Sequence, residues 1–247
     1  MKVQGGAPIQ VVVVDPNTHE VLGGAATKII CLGFNDPNGI VQLPALQVGD
    51  VSGGNYAYIM SNGFLQFFGD SRPWIDWNFD GASFAPGASA PDLIQWNSTK
   101  IRVRAFDGAN TQEELSKVIE ANHNWAEGTV LKTHVHWGPT TAAAGNVQWF
   151  LDWFAIEGSD YTGIATVNVI QAAGGVAWNE QFAEFPDITL PSNYLLGTQI
   201  GFALYRVPGV GNPNDTYGAD AAILTVGVHA RLNSLGSCQV AEKDCAG

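Results

Sequence analysis

Short apolar runs recur along this chain, each cut off by glycine, proline or asparagine. Ile9-Gln10-Val11-Val12-Val13-Val14 stops at Asp15-Pro16-Asn17, and residues 27–32 run into Gly33 and a cluster from Asn35 to Gly39. Residues 56–60 and 64–68 flank Ser61-Asn62-Gly63, and an Asn-Gly pair between two such runs signals a hairpin. Residues 74–77 make a further strand candidate. Others follow at 100–105, 129–137, 147–154, 165–170, 187–190, Gln199–Arg206 and Ala221–Arg231. In Lys100-Ile101-Arg102-Val103-Arg104-Ala105 basic and apolar residues alternate, giving one wet face and one core face. Repeated short strands with such turns predict an antiparallel sandwich or barrel. Only residues 114–121 pull the other way. Thr111 and Glu114 have capping-box spacing and the following residues favour helix, yet the same stretch also alternates.

Small residues and prolines dominate 81–91, which reads as a linker. The expected organisation is a β-rich N-terminal region with a hairpin over 1–80, a linker over 81–91, a sandwich over 92–237 and a tail over 238–247.

Charge narrows the partners. The net charge is −12, from 11 Lys+Arg against 23 Asp+Glu. There is no basic footprint for phosphates, so neither nucleic acid nor an anionic membrane is expected as a partner. No apolar stretch reaches the about 18 residues of a membrane helix. Residues 11–14 are too short for a signal-peptide core, so synthesis in a cytoplasm without ordinary export is expected. Of the three cysteines, Cys31 reads as a buried thiol. Cys238 and Cys245 lie in a polar segment, and their pairing stays open.

His134-Val135-His136-Trp137 is the one concentrated chemical signal. Residues two apart on a strand share a face, so the imidazoles are neighbours, and neutral imidazole suits Zn, Fe, Ni or Cu. Gly128 lies six residues before His134, as at the opening of the cupin motif. The Glu that motif then requires is replaced by Thr140 or Thr141. The metal-ligand candidates are therefore His134, His136 and His229, while the expectation is no metal, no cofactor and no catalytic residue.

Other chemistry is weaker. Asp152, Glu157, Glu180 and Glu184 are glycosidase-type acids by residue type alone. Asp215 and Asp220 are candidates for a Ca²⁺ loop. Trp149 and Trp153 share a strand face, with Trp137 and Trp178 elsewhere. Packing is the more frequent use of such rings, a sugar platform the rarer one.

An ordered set of blocks resembles a β-sandwich domain of tailed-bacteriophage structural proteins. The blocks are Ser89-Ala90-Pro91-Asp92-Leu93, then His123-Asn124-Trp125-Ala126-Glu127-Gly128, then His134-Val135-His136-Trp137. Gly145-Asn146-Val147-Gln148-Trp149 follows, and then residues 221–229 with Leu235-Gly236-Ser237. The resemblance covers about 60% of the chain, and the hairpin region before it is similar to the segment preceding such domains. It implies an all-β fold, an N-terminal β arm and hairpin followed by a jelly-roll-like antiparallel β-sandwich, with residues 114–121 extended. It implies a non-enzymatic virion component: a surface-exposed tail fibre, spike or capsid decoration that contributes to host-surface binding. The expected partners are copies of itself, most simply as a homotrimer, other virion proteins through residues 1–80, and a host glycan or protein. The alternative is a cupin-like metal enzyme using His134 and His136.

Overall fold

The computed structural model describes residues 45–60, 64–109, 111–209 and 211–235. The runs at 9–14 and 27–32, the Asn62-Gly63 turn and all three cysteines lie outside the described residues.

Three strands precede the main body: β1 (Ala45–Asp50), β2 (Asn55–Met60) and β3 (Leu65–Phe67). They form an antiparallel sheet in which Ala57 faces Phe67, so the strands flanking the expected hairpin do pair. The remaining strands are β4 (Trp74–Asp80), β5 (Ala85–Pro86), β6 (Asp92–Gln95), β7 (Arg102–Phe106), β8 (Glu113–Glu120) and β9 (Lys132–Pro139). After them come β10 (Asn146–Glu157), β11 (Asp160–Tyr161), β12 (Ala165–Ala172), β13 (Gln181–Glu184), β14 (Gln199–Arg206) and β15 (Ala221–Arg231).

These strands build a jelly-roll-like antiparallel β-sandwich. One sheet runs β11-β10-β14-β8-β5, with β12 also on β10; the other runs β13-β9-β15-β7-β6, with β4 also on β15. Alternation supplies the core between them. Val135 and Trp137 of β9, Trp149 and Leu151 of β10, Leu115 of β8 and Ile200 and Leu204 of β14 point inward and are fully buried. Trp125 joins them from a turn. Trp149 packs edge-on against Phe106 and Trp137, at ring-centroid distances of 5.2 and 5.7 Å.

The ambiguous stretch is a strand. Leu115 and Ile119 face the core while Val118 is 58% exposed. A helix would place all three on one side, whereas pairing with β14 sends Val118 outward.

The linker expected at 81–91 is corrected. Its first flank, β4, pairs with β15 from Trp74↔Arg231 to Asp80↔Thr225, and β5 pairs with β8. Phe84 is buried in the core. The small residues reflect close packing: a Cβ on Gly81 would lie 2.8 Å from the Ile223 side chain, and one on Gly87 would lie 3.0 Å from Glu114 Cβ. The sandwich therefore begins at β4, and a boundary at residue 80 cuts through its edge. Residues 187–190 contribute only the bridge Leu131↔Ile188.

The acidic composition has one local cost. Glu113 accepts a hydrogen bond from Asp107 N at 2.6 Å, but burial pushes its carboxyl above the usual range, aided by Asp107, Asp92 and Asp220. A raised acid favours the fold below its unfolded pKa, and that contribution is lost as pH rises through the folded value. Glu113→Gln is expected to flatten this decline, read as urea midpoints at about pH 4 and about pH 7.

Candidate functional site

The two sheets present different outer faces. On the sheet containing β10, the side chains opposite the core include Gln148, Phe150, Asp152 and Phe154. Phe150 pairs in register with Tyr205 of β14 and Asn168 of β12. The Phe150 and Tyr205 rings stack at 5.1 Å and 7°. Phe154 lies over Gly201, where a Cβ would come within 2.2 Å of the ring, and Tyr161 meets Phe154 edge-on at 5.6 Å. Glycine at 201 is thus what lets the ring lie on the sheet.

Polar groups are set among these rings. Asp152 Oδ1 accepts hydrogen bonds from Thr166 Oγ1 at 2.6 Å and Tyr205 OH at 3.3 Å. Burial, then the Asp152 charge, raises the Tyr205 phenol above its ordinary value, so it remains a donor at neutral pH. Gln148 Nε2 donates to Asn168 Oδ1 at 2.9 Å, while Gln148 Oε1 is buried without a hydrogen-bond partner among the described residues. A buried acceptor left unpaired costs about 1–3 kcal/mol. Val118, Ile156 and Ile170 are exposed around this area.

The opposite sheet carries the histidines. His134 and His136 share the outer face of β9, as the His-x-His spacing predicts. His134 faces Gly227 of β15, His136 faces Thr225, and His229 faces both Lys132 of β9 and Asp76 of β4. His134 is nonetheless buried, covered by the rings of Phe182, His229 and His136 at centroid distances of 4.8, 4.6 and 5.2 Å. Burial chiefly lowers its pKa to about 4, so it is neutral at pH 7. His136 Nδ1 contacts Glu180 Oε1 at 2.5 Å, and His229 Nε2 lies 3.6 Å from Asp76 Oδ1. The third histidine drawn toward His134 is thus His229, and the nearest carboxylate is Asp76. His123 sits apart with Glu120 at 3.4 Å.

The remaining candidates have structural places. Asp215 is buried in an ion pair with Arg206, which uses both carboxylate oxygens and takes it out of any Ca²⁺ loop. Glu184 pairs with Lys132 at 3.2 Å, and Glu157 accepts from Thr198. Trp137 and Trp149 are core residues, Trp153 packs against the core, and Trp178 packs edge-on with Trp96, so the four expected rings do not meet in one platform.

Phe150, Tyr205 and Asp76 stand in no motif of the sequence. The first two were findable as outward neighbours of inward Trp149 and Leu204. Asp76 lies on β4, which the expected linker separates from the histidines and which register brings to His229.

No family model matches this sequence, and no curated protein sequence matches it. Solved structures show slight likeness. The CBM35 module from Cellvibrio japonicus is 13% identical, with 67% of this chain and 100% of that chain covered and a TM-score of 0.37. The CBM36-1 domain of a multidomain xylanase from the hindgut metagenome of Trinervitermes trinervoides is 14% identical, with 62% and 96% covered and a TM-score of 0.36. The enzymatically active domain of tailspike protein 4 of bacteriophage CBA120 is 10% identical, with 64% and 19% covered and a TM-score of 0.35. At these values the likeness carries no functional argument.

Proposed function

We propose that this chain is a non-catalytic, surface-exposed component of a tailed-phage virion that contacts a host glycan through the outer face of the β10 sheet. The observation that carries the contact is the set of half-buried rings, Phe150, Phe154 and Tyr205, interleaved with the polar groups of Asp152 and Asn168. A sugar offers an apolar C–H face and a rim of hydroxyls. Rings beside fixed donors and acceptors complement both.

The virion setting rests on the resemblance of the sequence blocks to phage structural domains. Trp125, Trp137 and Trp149 of three blocks are fully buried, and Gly128 and Gly145 take positive φ at turns. The residues that carry that resemblance thus lie in the scaffold. The segment before β4 is the part of the chain proposed to meet other virion proteins, and assembly as a homotrimer is proposed on the same reading. Light scattering on the full chain tests the latter: a trimer supports it and a monomer removes it.

Glycan-array screening followed by titration calorimetry tests the contact face. The expected result is binding that falls about tenfold or more in Tyr205→Ala and Phe150→Ala. Gly201→Ala, which lifts Phe154 off the sheet, is expected to weaken the same ligand while the thermal midpoint changes little. Wild-type protein that retains no glycan overturns the proposal.

A further inference from the structure

On the opposite sheet, the geometry points to a divalent transition-metal site formed by Asp76, His134 and His229. Three adjacent strands supply one ligand each: β4, β9 and β15. The donor atoms of the three side chains all lie within 4.8 Å of one another. In a tetrahedral zinc site with bonds of about 2.1 Å, donors sit roughly 3.4 Å apart. The Asp76–His229 pair, at 3.6 Å, is already near that spacing. The remaining closure on ion binding falls to His134, whose donor lies within 4.8 Å of the other two.

Gly227 is the floor of the site. A Cβ there would lie 2.3 Å from both Cε1 and Nε2 of His134 and 2.9 Å from Asp76 Oδ1. The Nε2 edge of one ligand and the carboxylate of another therefore converge on the space above a single glycine. Its φ is not in the left-handed region, so room for the two side chains is what the missing Cβ provides there. A simple Asp–His hydrogen bond would account for Asp76 and His229 but not for His134, which is 1% exposed and makes no hydrogen bond among the described residues. Two imidazoles and a carboxylate suit Zn²⁺ or a neighbouring first-row ion. The side chains of Asp76 and His229 are 37% and 39% exposed, so a fourth position opens to solvent. Such an ion would cross-link β4 to β15 and β9. His136 is held away by Glu180, so the pair first suggested by the sequence is not the ligand pair.

The test is calorimetric titration of tag-free, chelator-treated full-length protein with ZnCl₂, alongside thermal midpoints with and without zinc. The expected result is one equivalent bound, with the midpoint raised by zinc. His229→Ala and Asp76→Asn, both at partly exposed positions that leave the core intact, are expected to lose at least about tenfold in affinity and the zinc-induced shift. His136→Ala is expected to retain both. No uptake by the wild type overturns the assignment. So does binding that survives in His229→Ala and Asp76→Asn, or that disappears in His136→Ala alone. Glycan binding is measured separately on the other face, so failure of either proposal leaves the other standing.

Discussion

Arg206→Met is expected to lower unfolding stability by about 3–5 kcal/mol, because it strands a buried charge. The guanidinium is fully buried and spends all five of its N–H groups. Nε and Nη2 grip Asp215 at 2.9 and 2.8 Å, Nη1 donates to the carbonyls of Phe106 and Ala219, and Nη2 also donates to Tyr217 O. Asp215 Oδ2 accepts in addition from Gln148 N at 3.0 Å. One side chain thereby ties the loop after β14 to β7 and β10. Methionine fills similar space but leaves Asp215 without its counter-charge and takes a donor from each of three carbonyls. Arg206→Lys recovers little, since three donors on a flexible stem cannot reproduce the fork. The double change Arg206→Met with Asp215→Leu is expected to restore much of the loss, because both charges are then gone. Urea denaturation midpoints of the four proteins check this. A single change costing under about 1 kcal/mol contradicts the account.

Trp149→Ala is expected to cost about 3–5 kcal/mol, by emptying the centre of the sandwich. Its ring is fully buried between Phe106 and Trp137. Its Nε1 finds no hydrogen-bond partner among the described residues. Trp149→Phe therefore removes a buried, unpaid donor along with volume, and is expected to cost much less than alanine. Guanidinium denaturation followed by the remaining tryptophans distinguishes the two, and equal losses would show that cavity volume is not the deciding term.

Apolar runs bounded by turn residues are legible as strands even where, as in β14 and β15, both faces are largely covered. Gln199–Arg206 and Ala221–Arg231 are strands at those bounds. β13 is too short to carry a pattern of its own, with only four extended residues. The 81–91 segment misled because small residues allow either flexibility or close approach, and only neighbours such as Ile223 decide which. The histidine face was half legible. Spacing on one strand put His134 beside His136, but cross-strand register, which no local pattern encodes, brought His229 and Asp76 to His134 instead.

The pairing of β4 with β15 has an architectural consequence. Trp74 lies opposite Arg231, and Leu232 N donates to Pro73 O at 2.8 Å, so the chain enters and leaves the sandwich side by side. The gap between those two points is about one strand spacing, roughly 4.8 Å. A body with such neighbouring ends is portable. It can be grafted into a surface loop of an unrelated scaffold without prying that loop apart. Equally, its ends can be joined and the ring reopened at another turn, leaving the same sandwich in a permuted order.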